Sequence, residues 1–254
     1  MDLPRKPTFD LSGKRALVTG AGRGIGLAAS AVLADAGADV TLVARSAGEI
    51  EEAAAAIRAR GQKATALALD VTDVARVREV IGAAGPFDVL FNNAGANRPA
   101  SFLDVTEEDY DAVVDLNVRA AFFVAQVVAR GMVDAGRGGS IIHTSSQMGQ
   151  VGGARRSVYC STKWAIEGLT KAMAVDLAPH QVRVNAIAPT FIETPMTRPF
   201  LEQPGFKESV LTKIKLGRLG QVEDLMGAVL FLASDASSLM TGSSVLVDGG
   251  WTAD

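Results

Sequence analysis

The stretch Ala16-Leu17-Val18-Thr19-Gly20-Ala21-Gly22-Arg23-Gly24-Ile25-Gly26 couples a short apolar run to a glycine-rich turn. A segment with Ile25, Ala28, Ala29, Val32 and Leu33 on one helical face follows. A buried strand that turns sharply into a helix is the first half of a βα unit. Glycines let backbone approach a diphosphate closely, and the helix amino terminus supplies free N–H groups and the positive end of its dipole. The spacing is Gly20-x3-Gly24-x-Gly26, not GxGxxG, and such a turn also arises for geometric reasons alone. No Walker lysine follows, which disfavours a P-loop nucleoside triphosphatase.

Outward from this turn, β-branched runs alternate with helical stretches to about Ala188. The pattern predicts strands at 16–19, 40–44, 64–69, 89–91, 140–144, 182–187 and 243–247. Helices are predicted over 24–36, 47–60, 73–84, about 107–133, about 157–178 and 221–233. The polar, proline-marked stretch 190–216 reads as an irregular insertion, too long for an ordinary connection. With no internal repeat and no linker composition, residues 1–254 form one doubly wound α/β domain, and 190–216 is its substrate-loop insertion.

Composition removes several functions. The 254 residues carry 25 basic and 28 acidic side chains, a net charge of −3, so no overall field attracts nucleic acid or anionic lipid. Cys160 is the one cysteine and cannot form an intrachain disulfide, and His143 and His180 stand too far apart to suggest a metal set. No GxSxG elbow or HExxH occurs. The amino terminus lacks a signal-peptide core and no run approaches ~18 uncharged apolar residues, so a soluble cytoplasmic protein without membrane partners is expected.

In an open parallel sheet, ligand chemistry collects beyond the carboxyl ends of the strands, where strand order reverses. Asn92-Asn93-Ala94-Gly95 follows the fourth strand and Thr144-Ser145-Ser146 ends the fifth. Tyr159 comes thirteen residues after Ser146 and Lys163 four after Tyr159, a spacing that puts phenol and ammonium on one helix face. A phenol is a poor base at neutral pH, and a nearby cation favours its ionised form. Alone, such a pair is more often structural.

Together, TGxxxGxG at 19–26, NNAG at 92–95, Asn117, Ser146 and Tyr159-x3-Lys163 resemble the short-chain dehydrogenase/reductase family along essentially the whole chain. Asp70, Asn185, Pro189 and Val247-Asp248-Gly249-Gly250 extend the resemblance. It implies a Rossmann-like sheet of about seven parallel strands, a nicotinamide dinucleotide, and hydride exchange with a carbonyl or carbinol. It further implies that Tyr159 is the general acid or base and that Ser146 orients the substrate oxygen. Lys163 would stabilise the phenolate and hold the nicotinamide ribose. Asn117, late in the long helix, would support a water that relays protons from Lys163.

The cofactor residues implied are Gly20, Arg23, Gly24, Ile25, Gly26, Arg45, Ser46, Asp70, Val71, Asn93, Ala94, Gly95, Tyr159, Lys163, Pro189, Ile192 and Thr194. Of the adjacent serines, Ser145 is expected to satisfy local backbone groups. Thr190 stands where the family often has glycine. After strand two, Ala44-Arg45-Ser46 offers a guanidinium and a hydroxyl where a carboxylate would read a ribose 2′-OH, so NADP(H) is expected, with NAD(H) as the alternative. Ser146, Gln147, Arg156 and Tyr159 are the substrate residues. The Asn, Gln and Arg content of the facing loops suggests a small polar molecule such as a sugar, polyol or sugar acid. Phe191, Met196, Phe200 and Phe206 equally suit an apolar lid, and Cys160 reads as a small buried hydrophobe. The apolar face of Phe122, Phe123, Val127 and Val128 with Trp164 and Leu169 suggests a homotetramer. A dinucleotide-binding regulator without chemistry, or an isomerase, dehydratase or epimerase on the same fold, are the alternatives.

Overall fold

The computed structural model describes residues 3–253; Met1, Asp2 and Asp254, part of the single-domain span read from the sequence, lie outside the described residues. The chain alternates β1 (Arg15–Thr19), α1 (Gly24–Asp35), β2 (Asp39–Ala44), α2 (Ala47–Ala59), β3 (Ala64–Ala68), α3 (Val74–Ala84) and β4 (Val89–Asn92). It continues through α4 (Glu107–Val114), a π-helical turn (Asp115–Ala120), α5 (Ala121–Ala135), β5 (Gly139–Thr144), α6 (Ser157–Leu177) and β6 (Val182–Pro189). The short helices α7 (Arg198–Leu201) and α8 (Phe206–Leu211) precede α9 (Glu223–Ala233) and β7 (Ser244–Val247).

The strands form one parallel sheet in the order β3-β2-β1-β4-β5-β6-β7. Successive side chains on a strand point to opposite faces, and here both faces are covered. Val18, Leu42, Phe91, Ile142 and Ile187 join the layer closed by Leu33 of α1, Ile50 of α2 and Leu232 of α9. Leu17, Val43, Leu90, Ile141 and Val184 join the layer closed by Val77 and Ile81 of α3 and Val124, Val128 and Met132 of α5. Polar side chains start the helices where propensity alone is weak. Asp73 accepts the Arg76 N–H at α3, and Thr106 accepts the Asp109 N–H at α4. At the other end of α5, Gly136 takes the left-handed conformation at φ 64° that stops a helix.

Two expectations change. The helix predicted over about 107–133 runs to Ala135 and is interrupted by the π turn, which carries Asn117 midway along it instead of late. By length and composition Glu107–Ala135 is apolar enough to cross a membrane, yet its buried face packs the sheet core through Val124, Ala125 and Val128. The insertion 190–216 is also more ordered than its composition suggests, since it folds α7 and α8. Val210, Ile214 and Leu219 make a small core there with Phe191, Phe206 and Trp251. Phe191 stacks on Trp251 and meets Phe206 edge-on, so those two members of the expected lid are packed inward, whereas Met196 is half exposed.

Candidate active site

Strand order reverses between β1 and β4, and the glycine turn opens at that crevice. A Cβ on Gly26 would stand 2.1 Å from the Gly20 carbonyl oxygen and 2.8 Å from Asn93 Nδ2, so the turn closes only around a bare backbone. Gly20 and Gly24 have φ of 63° and 56°, which glycine adopts without strain. A Cβ on Gly24 would meet Thr194 Cγ2 at 3.3 Å, so the loop after β6 lies directly across from the turn after β1.

Thr19 ties this crevice together. Its hydroxyl donates to Asn92 Oδ1 and accepts the N–H groups of Asn93 at 2.9 Å and Ala94 at 3.0 Å. Asn93 Nδ2 donates to the Thr19 carbonyl at 3.2 Å, and its Oδ1 accepts from the Thr144 hydroxyl at 3.2 Å. Three neighbouring strand ends are thereby locked in register. Ile25 packs against the core, Gly95 lies under Asn117 Oδ1, and Pro189 ends β6 beside Val247.

The remaining cofactor positions differ in what they offer. Arg45 is exposed and makes no ion pair among the described residues, whereas Arg23 lies 3.5 Å from Glu49. The Ser46 hydroxyl caps α2 by accepting from the Glu49 N–H. Asp70 Oδ1 accepts from both the N–H and the hydroxyl of Thr72. Val71 and Ile192 are buried and pack with the two core layers. The Thr194 hydroxyl sits 3.2 Å from that of Thr197.

Ser146, Tyr159 and Lys163 come together at the carboxyl end of β5. Lys163 Nζ donates to the Thr144 carbonyl at 2.7 Å and lies 5.4 Å from the Tyr159 ring centroid. Burial lowers the Lys163 ammonium to about 8, with Glu167 acting the other way. The Tyr159 phenol is pushed up, mainly by burial, against the opposing influence of the Ser146 hydroxyl and Arg156. Desolvation thus outweighs the Ser146 hydroxyl and the Arg156 charge, both of which favour the ionised phenol. Ser146 Oγ donates to Gln147 Oε1 at 2.8 Å and accepts the Met148 N–H at 3.1 Å.

The Asn117 side chain bridges two elements. Oδ1 accepts the Ala96 N–H at 2.8 Å, and Nδ2 donates to the Ala96 carbonyl at 2.9 Å and to Thr162 Oγ1 at 3.1 Å. Both Nδ2 hydrogens are engaged, so the amide clamps the loop after β4 to α6, while Oδ1 keeps a second lone pair. Ser145 departs from expectation: its hydroxyl is buried and has no partner. Arg98 pairs with Asp109 at 2.7 Å at the start of α4, away from the role of a free site cation. Cys160 is only half-buried, and His143 is fully buried within β5. Thr19 and Thr144 stand in the quoted motifs without a role, and Thr162 is the position the sequence pattern passed over; its signal is adjacency to Lys163.

The likeness to known proteins agrees with this geometry. A family model described as enoyl-(acyl carrier protein) reductase matches residues 20–252. A solved structure of a short-chain type dehydrogenase/reductase from Mycobacterium marinum superposes with a TM-score of 0.92 at 43% identity, covering 97% of this chain and 98% of that one. The chain belongs to the short-chain dehydrogenase/reductase family. The enzyme is also 43% identical over 243 residues to an L-xylulose reductase of Bos taurus, spanning 96% of this chain and 98% of that protein. A gluconate 5-dehydrogenase from Burkholderia cenocepacia, solved in complex with NADP and tartrate, is 37% identical with a TM-score of 0.93, over 97% of this chain and 98% of that one. As a member of this family, the enzyme is an oxidoreductase acting on CH–OH groups.

Proposed function

We propose that the enzyme transfers a hydride between NADP(H) and a secondary alcohol or ketone of a sugar, polyol or sugar acid. The observation that carries this is the placement of Ser146, Tyr159 and Lys163 beside a glycine turn that tolerates no Cβ at Gly26. The residues present fit a dinucleotide, with the turn at Gly20–Gly26 for its diphosphate and Arg45 for a ribose 2′-phosphate. When bound, the nicotinamide supplies or accepts the hydride. NAD(H) is the second reading, favoured by the Glu49 carboxylate that neighbours Gly22 and Arg23 and would repel a phosphate.

The protein's own groups handle the proton. Tyr159, kept protonated by burial, donates to the carbonyl oxygen as it gains charge, which suits reduction. Ser146 holds that oxygen through its hydroxyl once Gln147 yields the bond. Lys163, anchored on the Thr144 carbonyl, retains further donors on its ammonium and stabilises the phenolate left behind. Asn97 Oδ1 and Thr190 Oγ1, from the loops after β4 and β6, are buried without partners and suit a polyhydroxylated substrate. We place the enzyme as a homotetramer, supported by the exposed Phe122 and Trp164 on α5 and α6.

The test is loss of the reduced-nicotinamide absorbance with a panel of ketoses and keto-aldonates. Tyr159→Phe should lower kcat by roughly 10²–10⁴-fold while NADPH binding, read by fluorescence, persists. Activity in that variant within tenfold of wild type would remove Tyr159 from the chemistry.

A further inference from the structure

Arg156 stands one helical turn before Tyr159, at the start of α6, and is only 5% exposed. Its Nη1 is buried with no hydrogen-bond partner, and no carboxylate pairs with it among the described residues. The Phe200 ring of α7 packs on it, its centroid 4.8 Å from the guanidinium carbon. The other interior arginine shows what this chain does when a guanidinium is structural. Arg183 donates to the carbonyls of Leu232 and Ser234 and to the Ser237 hydroxyl. Burying a cation while leaving a donor unmade is costly, and such a group is normally paired. A fork of N–H donors matches a carboxylate better than any neutral group does.

The geometry points to Arg156 as a specificity residue that binds the carboxylate of an open-chain sugar acid, holding the reacting carbon against Ser146 and Tyr159. This rests on the oxidoreductase reading above and narrows its substrate class from polyhydroxylated molecules in general to anionic ones. The Phe200 ring, supplied by the insertion, covers the guanidinium and excludes water from the pair. Positions 156 and 159 share a helix face, so an anion on Arg156 has its neighbouring carbons over the catalytic hydroxyls.

The experiment is calorimetric titration of the NADP-saturated enzyme with gluconate and with glucitol, which differ by carboxylate against hydroxymethyl at one end. Wild type should bind gluconate at least thirtyfold more tightly than glucitol. Arg156→Gln should abolish that difference, with an unchanged Tm and retained NADP binding reporting a folded site. Arg156→Lys, which keeps the charge but loses the fork, should retain part of the preference. Equal affinities in wild type, or a gluconate preference that survives in Arg156→Gln, would overturn the assignment. If gluconate binds as expected but neither keto-aldonates nor ketoses oxidise NADPH, the hydride-transfer reading fails and the anion site stands.

Discussion

Gly26→Ala tests the cradle most directly. The added Cβ would lie 2.1 Å from the Gly20 carbonyl oxygen, over an ångström inside contact distance, and 2.8 Å from Asn93 Nδ2. Neither neighbour yields easily, because Gly20 contributes backbone and Asn93 is held by the Thr19 carbonyl. Overpacking of this kind costs about 3 kcal/mol. Alanine in place of glycine near the start of α1 returns about 1 kcal/mol of helix propensity. The net loss of ~2 kcal/mol emerges as a fall in Tm of roughly 4–8 °C, as about thirtyfold weaker NADPH binding, or as a division between the two. Gly24→Ala is the control. Its Cβ would meet the Thr194 side chain at 3.3 and 3.4 Å, which a shift of a few tenths of an ångström relieves, so its main cost is the positive φ, about 1 kcal/mol. Thermal unfolding and fluorescence titration of both variants decide the matter. Unchanged Tm and NADPH affinity in Gly26→Ala, or a larger loss in Gly24→Ala, would refute the close-packed turn.

Other outcomes follow from side chains around the site. Burial holds His143 down to about 4, so the folded state resists a proton that the unfolded state accepts below about 6.5. Stability therefore falls with pH between about 6.5 and 4, by roughly 3 kcal/mol, and His143→Leu should flatten that slope in urea midpoints measured across the range. Asn117→Ala strips both Ala96 backbone partners and the Thr162 bond; it should cost about 3 kcal/mol and release the Ala96 amide to hydrogen exchange. Arg45→Ala should reduce the preference for NADPH over NADH at least tenfold in kcat/KM, with NADH little changed; a retained preference would remove Arg45 from phosphate binding.

The sheet was legible because its strands are apolar on both faces and its helices carry a 3.6-residue period, so Leu17 and Val18 announce two core layers from sequence alone. The candidate site residues were legible through fixed spacing. What the sequence hides is commitment. Nothing in residue order shows that the Asn117 amide bonds Ala96 and Thr162, that Ser145 is left unpartnered, or that Arg98 is neutralised by Asp109 whereas Arg156 is buried without an acid. Those facts depend on which strands become neighbours. The helices α7 and α8 are too short for a period to reveal, and the proximity of Gly24 to Thr194 joins the ends of β1 and β6, with two strands between them.

The π turn at Asp115–Ala120 has a further implication for anyone re-engineering this chain. A wider turn holds an additional residue relative to an α-helix, and each residue rotates a helix by about 100°. Deleting one residue there would restore regular geometry and improve the helix as an isolated object. It would also swing either Asn117 out of reach of Ala96 or the Val124–Met132 face off the sheet, since no single register serves both. Local regularity and the assembled site are thus in competition at this turn, and an optimiser that rewards ideal helices would remove the irregularity on which the site depends.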